Sequence, residues 1–178
     1  MKKLAIAAAL AAAFASLANA DDKVRARLSG FQEVPVVLTE GSGTFHAVIS
    51  PKGDAIDYEI TYEGIQGIVS QSHMHVGQRN VNGGIVLWIC GNPAATPPTP
   101  GPAGTAVCTS PNGHFAGTWR PENVQNVTTQ QILTGELDDV ITAIRAGKAY
   151  VNVHSNLSPG GEIRGQVSGN HRHDHDHD

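Results

Sequence analysis

Residues 43–62, GTFHAVISPKGDAIDYEITY, contain the clearest fold signal in the chain. Apolar side chains alternate with polar ones over residues 43–50 and again over residues 55–62, and the turn formers PKGD separate the two runs. Because successive side chains of a strand point to opposite faces, each run predicts a strand with one buried face. Two such runs joined by a tight turn predict a β-hairpin.

Similar short strands are predicted on both sides of this hairpin, at residues 24–29, 71–77, 85–90, 113–119, 149–155 and 161–168. The period becomes helical only after residue 128, and one short helix is predicted over residues 136–146, before the C-cap Gly147. Many short strands between turns, with little helix, predict an all-β fold. We therefore expect an antiparallel immunoglobulin-like or Greek-key β-sandwich with one short helix.

The first 20 residues have the three parts of a signal peptide. Lys2 and Lys3 precede an apolar run over residues 4–17, and Ala18-Asn19-Ala20 forms a cleavage signal. The apolar run is too short to cross a bilayer, and no other stretch predicts a membrane span. No cysteine follows the cleavage signal to carry a lipid anchor. We expect a periplasmic or secreted protein whose domain covers residues 21–169.

The charge of the mature chain limits its partners. Loss of Lys2 and Lys3 lowers the 12 basic residues to 10, against 16 acidic ones, so the net charge becomes −6. We find no basic cluster in the sequence. This composition argues against nucleic acid or an anionic membrane as the partner.

Cys90 and Cys108 are the only cysteines. In an exported chain such a pair is expected to form one disulfide, here at the base of a proline-rich loop over residues 91–104. A thiolate metal site is the alternative. Its support is weak, because structural zinc sites usually contain a C-x-x-C pair.

The stretch QSHMHVG at residues 71–77 carries the main candidate for chemistry. In a strand, His73 and His75 would share one face, with Cα atoms roughly 6.5 Å apart, and both could bind one cation at about 2.0–2.1 Å. His154 on the strand over residues 149–155 could supply a third nitrogen. Its apolar neighbours Val151 and Val153 are expected in the core, so the three histidines would form a shallow metal site on the solvent side. Ordinary surface histidines are the alternative.

Other polar residues near these strands have weaker signals. Asn152, Glu162 and Arg164 could support the metal ligands. Glu162 and Arg164 at spacing i, i+2 also suit an ion pair, either on the surface or holding the neighbouring turn. His46 and His114 are isolated on their strands and are expected to lie outside the site.

The C-terminal residues 170–178 have no apolar residue to bury and are expected to be disordered. They alternate histidine with aspartate, and could bind metal weakly and flexibly or act as a solubilising tail. The tail ligands would be His171, His173, His175 and His177.

Three motifs give the chain a family resemblance: LSGFQEVPVV at residues 28–37, SHMHVGQRNVNGGIVLWI at residues 72–89, and AYVNVHSNLSPGGEIRGQV at residues 149–167. On these motifs the chain resembles the CHRD domain family, named after chordin and also found in exported bacterial proteins. The resemblance implies an immunoglobulin-like β-sandwich. It does not imply a defined chemistry.

A second, weaker resemblance is to copper-zinc superoxide dismutase, which also has an H-x-H strand and a late glycine-rich G-x-x-R segment. It would match His73 and His75 to the copper pair and Arg164 to the active-site arginine. The zinc-loop histidines and aspartate have no clear counterpart here.

We therefore favour a non-catalytic exported protein that binds a late transition metal, copper before zinc, through His73, His75 and His154. An interaction module for another exported protein, without metal, is the first alternative. A superoxide dismutase-like copper enzyme is the second.

Overall fold

The computed structural model describes residues 22–169, and the predicted signal peptide and the predicted tail lie outside this range. Within it the chain forms ten strands and one α-helix. They are β1 (Asp22–Ser29), β2 (Ser42–Ile49), β3 (Ile56–Glu63), β4 (Val69–Val76), β5 (Gly84–Gly91), β6 (Ala106–Val107), β7 (Gly113–Trp119), α1 (Leu137–Arg145), β8 (Ala149–Ser155), β9 (Ile163–Gln166) and β10 (Ser168–Gly169). The predicted all-β class with one short helix is confirmed.

All ten strands belong to one sheet, in the order β6-β5-β4-β8-β9-β1-β2-β3-β7, with β10 paired to β1. The sheet curls around the apolar core into a half-barrel, a sandwich-like arrangement. The curling brings distant strands together, so that Trp119 Nε1 on β7 donates a hydrogen bond to the carbonyl of Trp88 on β5 at 2.8 Å.

The prediction of a purely antiparallel sheet is wrong in one place, because β5 and β6 pair in parallel. Parallel neighbours need a crossover connection, and the proline-rich loop over residues 92–105 provides it. The predicted disulfide between Cys90 and Cys108 is confirmed and closes this loop at its base.

The predicted hairpin is formed by β2 and β3, whose register pairs Ile49 with Ile56. Their alternation directs Phe45 and Ile60 into the core, where both side chains are fully buried. Helix α1 begins and ends within one residue of its predicted bounds. The apolar stripe of α1 is buried as well. Within residues 22–169, no helix is long and apolar enough to cross a membrane.

The sheet has one apolar face and one polar face. Met74, Val151 and Ile163 lie on the apolar face and are buried in the core. The residues between them on β4, β8 and β9 form the other face, and the register places His73 beside Asn152 and Asn152 beside Arg164. The candidate site lies on this polar face.

Candidate metal centre

His73, His75 and His154 converge on one point. Strands β4 and β8 are hydrogen-bonded neighbours, so residues on the same face of both strands come together. One ring nitrogen from each of the three histidines lies within 4.8 Å of the other two. Nitrogens that each lie about 2.0–2.1 Å from one ion are at most about 4 Å apart, so small ring rotations would complete a three-nitrogen site.

The site is buried, and the prediction of a shallow site on the solvent side is wrong. His73 is 0% exposed, His75 7% and His154 6%. The alternation assigned the histidines to the correct face, opposite Met74. That face, however, is covered over β4, β8 and β9 by residues 30–40, 77–83 and 156–161. Glu33 in the first of these segments is buried, and carbonyls of the other two accept from His75, Arg164 and His154.

Backbone carbonyls fix the tautomers of two histidines. His75 Nδ1 lies 2.8 Å from the carbonyl of Gly83, and His154 Nδ1 lies 2.9 Å from the carbonyl of Pro159. A carbonyl can only accept, so each Nδ1 carries its proton and donates. The lone pair of each Nε2 then remains available, which is the usual arrangement of a histidine that binds a metal through Nε2.

Three buried ring nitrogens have no hydrogen-bond partner among residues 22–169: Nδ1 and Nε2 of His73, and Nε2 of His154. Leaving a buried polar atom without a partner costs about 1–3 kcal/mol. A cation at the convergence point would give a partner to one nitrogen of His73 and to His154 Nε2. The donor set therefore fits a metal.

Asn152 Oδ1 lies 3.1 Å from His75 Nε2, the nitrogen left without a proton. Two acceptors that face each other across 3.1 Å without a proton repel. Rotation of the amide would place an N–H donor there instead, and a cation between them would also remove the repulsion. Asn152 is thus in contact with the histidine cluster.

Burial keeps the cluster neutral. It lowers the pKa of His75 and of His154 to about 4. It also lowers the pKa of His73 well below the usual value, and the neighbouring rings of His154 and His75 lower it further. Because metal binding requires unprotonated imidazole, the site is ready to bind at neutral pH without losing protons.

Arg164 is buried and supports the cluster from the side. Its guanidinium donates to Asn82 Oδ1 and to the carbonyls of Gln78 and Val81, at 3.0–3.2 Å. It also lies 3.4 Å above the ring of Tyr150, which stacks on His75 with ring centroids 4.5 Å apart. Arg164 therefore fixes both the covering turn and the ring orientation of His75.

The alternative of a surface ion pair between Glu162 and Arg164 does not hold, since both side chains are 1% exposed and Glu162 binds other groups. Its carboxylate accepts from Thr39 Oγ1, from the backbone N–H of Gln66 and from Ser155 Oγ. Burial alone would raise the pKa of Glu162. These hydrogen bonds outweigh burial and lower it, so the carboxylate is ionised and anchors the segment around Pro159.

Glu33 is a site neighbour that the sequence analysis missed. Its side chain is 4% exposed, and burial raises the pKa of Glu33 to about 7 against the opposing charge of Arg164. The residue lies in the motif LSGFQEVPVV, but a single carboxylate before Pro35 gives no pattern that assigns a role. The sequence analysis also missed Trp88, whose ring makes an edge contact with the ring of His73 at a centroid distance of 5.1 Å.

His46 and His114 lie on the outer strands β2 and β7, outside the cluster. Both are exposed, and His114 pairs with Glu59 at 2.7 Å.

The family model for the CHRD domain matches residues 24–167. The chain belongs to the CHRD domain family. No curated protein and no solved structure matches it significantly. The comparisons thus give no support to the weaker resemblance to copper-zinc superoxide dismutase. The matched range of the CHRD domain contains all three histidines and both cysteines.

We expect the metal-free CHRD domain to lose stability as the pH falls from about 6.5 to 4. In this range the unfolded chain protonates His75 and His154, whose folded pKa values are about 4, so protons favour unfolding. Glu33 makes the opposite contribution between pH 4.5 and about 7. The folded state binds the proton of Glu33 more tightly than the unfolded chain does, so a fall in pH over this range favours folding. Urea unfolding after chelator treatment measures the net slope.

In that series, His75→Gln with His154→Gln should flatten the pH dependence, and Glu33→Gln should steepen it. Exposed His46→Gln is the control and should leave the slope unchanged. An unchanged slope in the double histidine variant would contradict this assignment of the titrating groups.

Proposed function

We propose that this CHRD protein is an exported, non-catalytic binding protein for a late transition metal, held by His73, His75 and His154. The observation that carries the proposal is the convergence of three buried, neutral imidazoles. Their nitrogens lie within 4.8 Å of one another, and some of these nitrogens have no partner among the described residues. A buried cluster of this kind is costly to keep without a cation.

The donor chemistry favours copper over zinc. Imidazole suits both metals, and the affinity of a given site is highest for Cu²⁺ in the divalent series. Sulfur ligands are missing from the cluster in the described part of the chain: Met74 lies on the opposite face, and Cys90 and Cys108 are bonded to each other. The site therefore lacks the soft donors that select Cu(I).

Asn152 is the proposed fourth donor. Its Oδ1 already lies beside His75 Nε2, so both atoms face the space in which the ion would sit. Three nitrogens and one oxygen are a ligand set that both Cu²⁺ and Zn²⁺ accept. Arg164 and Tyr150 would act as positioning residues, because they hold the ring of His75 in place.

The burial of the site supports binding rather than turnover. None of the three histidines is more than 7% exposed, so a substrate could reach the metal only after the covering segments move. Catalytic zinc and copper sites usually keep an open position for substrate or water. This is the reason for preferring a binding protein to a superoxide dismutase-like enzyme.

An interaction module without metal is the second candidate. Three large apolar side chains, Phe31, Val36 and Leu38, are exposed on the segment that covers the histidines. Exposed apolar groups that lie close together are typical of protein contact surfaces. Another exported protein could bind there.

The ligand assignment predicts a one-to-one complex with Cu²⁺. The test uses full-length protein whose tail histidines, His171, His173, His175 and His177, are replaced by Gln, so that the tail cannot contribute. His75→Gln and His154→Gln in this background should each abolish stoichiometric binding in calorimetric titration, because a three-nitrogen site loses an essential donor. His46→Gln is the matched control and should bind normally.

Unchanged affinity in the His154→Gln protein would remove His154 from the site. If the tail variant with an intact cluster binds neither Cu²⁺ nor Zn²⁺, the metal proposal fails and the interaction module becomes the better interpretation.

The role of Asn152 predicts a change in the ligand field. Asn152→Ala should weaken Cu²⁺ binding at least as much as the about 10–100-fold loss that follows removal of a residue that only orients a ligand. Asn152→Asp, which keeps an oxygen at this position, should retain binding. Electron paramagnetic resonance should show three coupled nitrogens in both the Ala and the Asp variants. The copper spectrum of the Ala variant should be shifted. Identical spectra and affinities for Asn152→Ala and the parent would exclude Asn152 as a ligand.

Export is proposed on the signal-like residues 1–20, and the Cys90–Cys108 disulfide is compatible with it. We expect the protein recovered from outside the cytoplasm to begin at Asp21, which intact-mass measurement checks. A mass that retains Met1 would contradict cleavage.

A further inference from the structure

A cavity of about 640 Å³ opens on the exposed half of the polar face, away from the histidine cluster. Three arginines line it: Arg25, Arg27 and Arg79. Its volume lies within the range of about 300–1000 Å³ that is typical of small-molecule sites.

The register of the sheet explains how the cations come together. Val24, Ala26 and Leu28 face the core, so Arg25 and Arg27 both point to the polar face of β1. Arg79 comes from the turn over residues 77–83 and lines the same cavity. The sequence shows no long basic run, and only the fold brings Arg79 to the other two.

None of the three arginines forms an ion pair with a described residue. The ion pairs within residues 22–169 are His114–Glu59 and Arg145–Asp22. His46 also lines the cavity, and Glu59 is its register partner on β3. The carboxylate of Glu59, however, is bound to His114 at 2.7 Å. Three like charges without a carboxylate in one cavity repel one another, and an anion would relieve the repulsion.

The rest of the lining is mostly neutral and polar: Gln32, Thr44, Gln166 and Ser168. Gln166 is buried, with 8% of its surface exposed. Its Nε2 donates to the carbonyls of Gly77 and Gly147. Its Oε1 has no partner in the described part of the chain. A lining that combines amide and hydroxyl groups with cations suits a ligand that carries hydroxyls as well as negative charge.

We propose that this cavity binds a small acidic saccharide. The guanidinium groups of Arg25, Arg27 and Arg79 bind its oxyanion groups, for which their planar forks are suited. The neutral side chains bind its hydroxyls. Carboxylate and phosphate groups offer guanidinium the same chemistry, so both kinds of acidic saccharide are candidates. The proposal is independent of metal at the histidine cluster.

Calorimetric titration of the full chain at low ionic strength, with trigalacturonate, fructose 1,6-bisphosphate and neutral maltotriose as probes, tests the proposal. At least one acidic probe should bind, and maltotriose should not. Arg27→Gln and Arg79→Gln should each weaken that binding at least about tenfold, because each removes charge-assisted hydrogen bonds. Arg120→Gln, an exposed arginine outside the cavity, removes the same charge and should have no effect.

The choice of probe identifies the anion: binding of trigalacturonate alone assigns a carboxylated saccharide, and binding of the bisphosphate alone assigns a phosphorylated one. Failure of both, or equal loss in the Arg120→Gln control, overturns the proposal. Tighter binding of a 20-nucleotide single-stranded DNA than of either saccharide also overturns it, since the surface would then recognise a polyanion. Unchanged thermal unfolding of the variants shows that they fold.

Discussion

The need to give every buried polar group a partner is the constraint on which the polar face of the sheet depends. An alternating strand that is covered on both sides places polar side chains in a dry environment, where each unpaired group costs about 1–3 kcal/mol. Arg164 and Glu162 meet this requirement with several hydrogen bonds each. His73 does not, and it lies at the centre of the cluster. The contrast distinguishes a polar network that is satisfied within the described chain from the cluster at which we propose a metal.

The covering segments and the cluster stabilise each other. The turn over residues 77–83 is held by Arg164 through two carbonyls, and the same turn supplies the Gly83 carbonyl that fixes the tautomer of His75. On the other side, Glu162 binds Ser155, and the chain that follows supplies the Pro159 carbonyl to His154. A ligand that binds the imidazoles would therefore also tighten the segments that bury it.

The alternation of apolar and polar residues predicted much of this fold from the sequence. It located the β2–β3 hairpin and the strands β7 and β8, and it separated His73 and His75 from Met74, because strand period is a local property. Burial is not local. Whether a polar face meets water depends on loops whose paths no period encodes, so the histidines were assigned to solvent. Glu33 and Arg79 were missed for the same reason: each reaches the polar face from a loop.

The register explains why one polar face can serve two different sites. On β9, Arg164 lies opposite Asn152 of β8 and points under the covering turn, while Gln166, two residues later on the same face, lines the arginine cavity. Strand β9 thus contributes one buried side chain to each of the two regions. Under the covering turn, desolvation favours neutral imidazoles, whose free nitrogens would bind a cation. At the cavity, Arg25, Arg27 and Arg79 carry the permanent positive charge of guanidinium, and in the proposed site they would attract an anion. Opposite ligand preferences on one surface would follow from this difference between imidazole and guanidinium side chains.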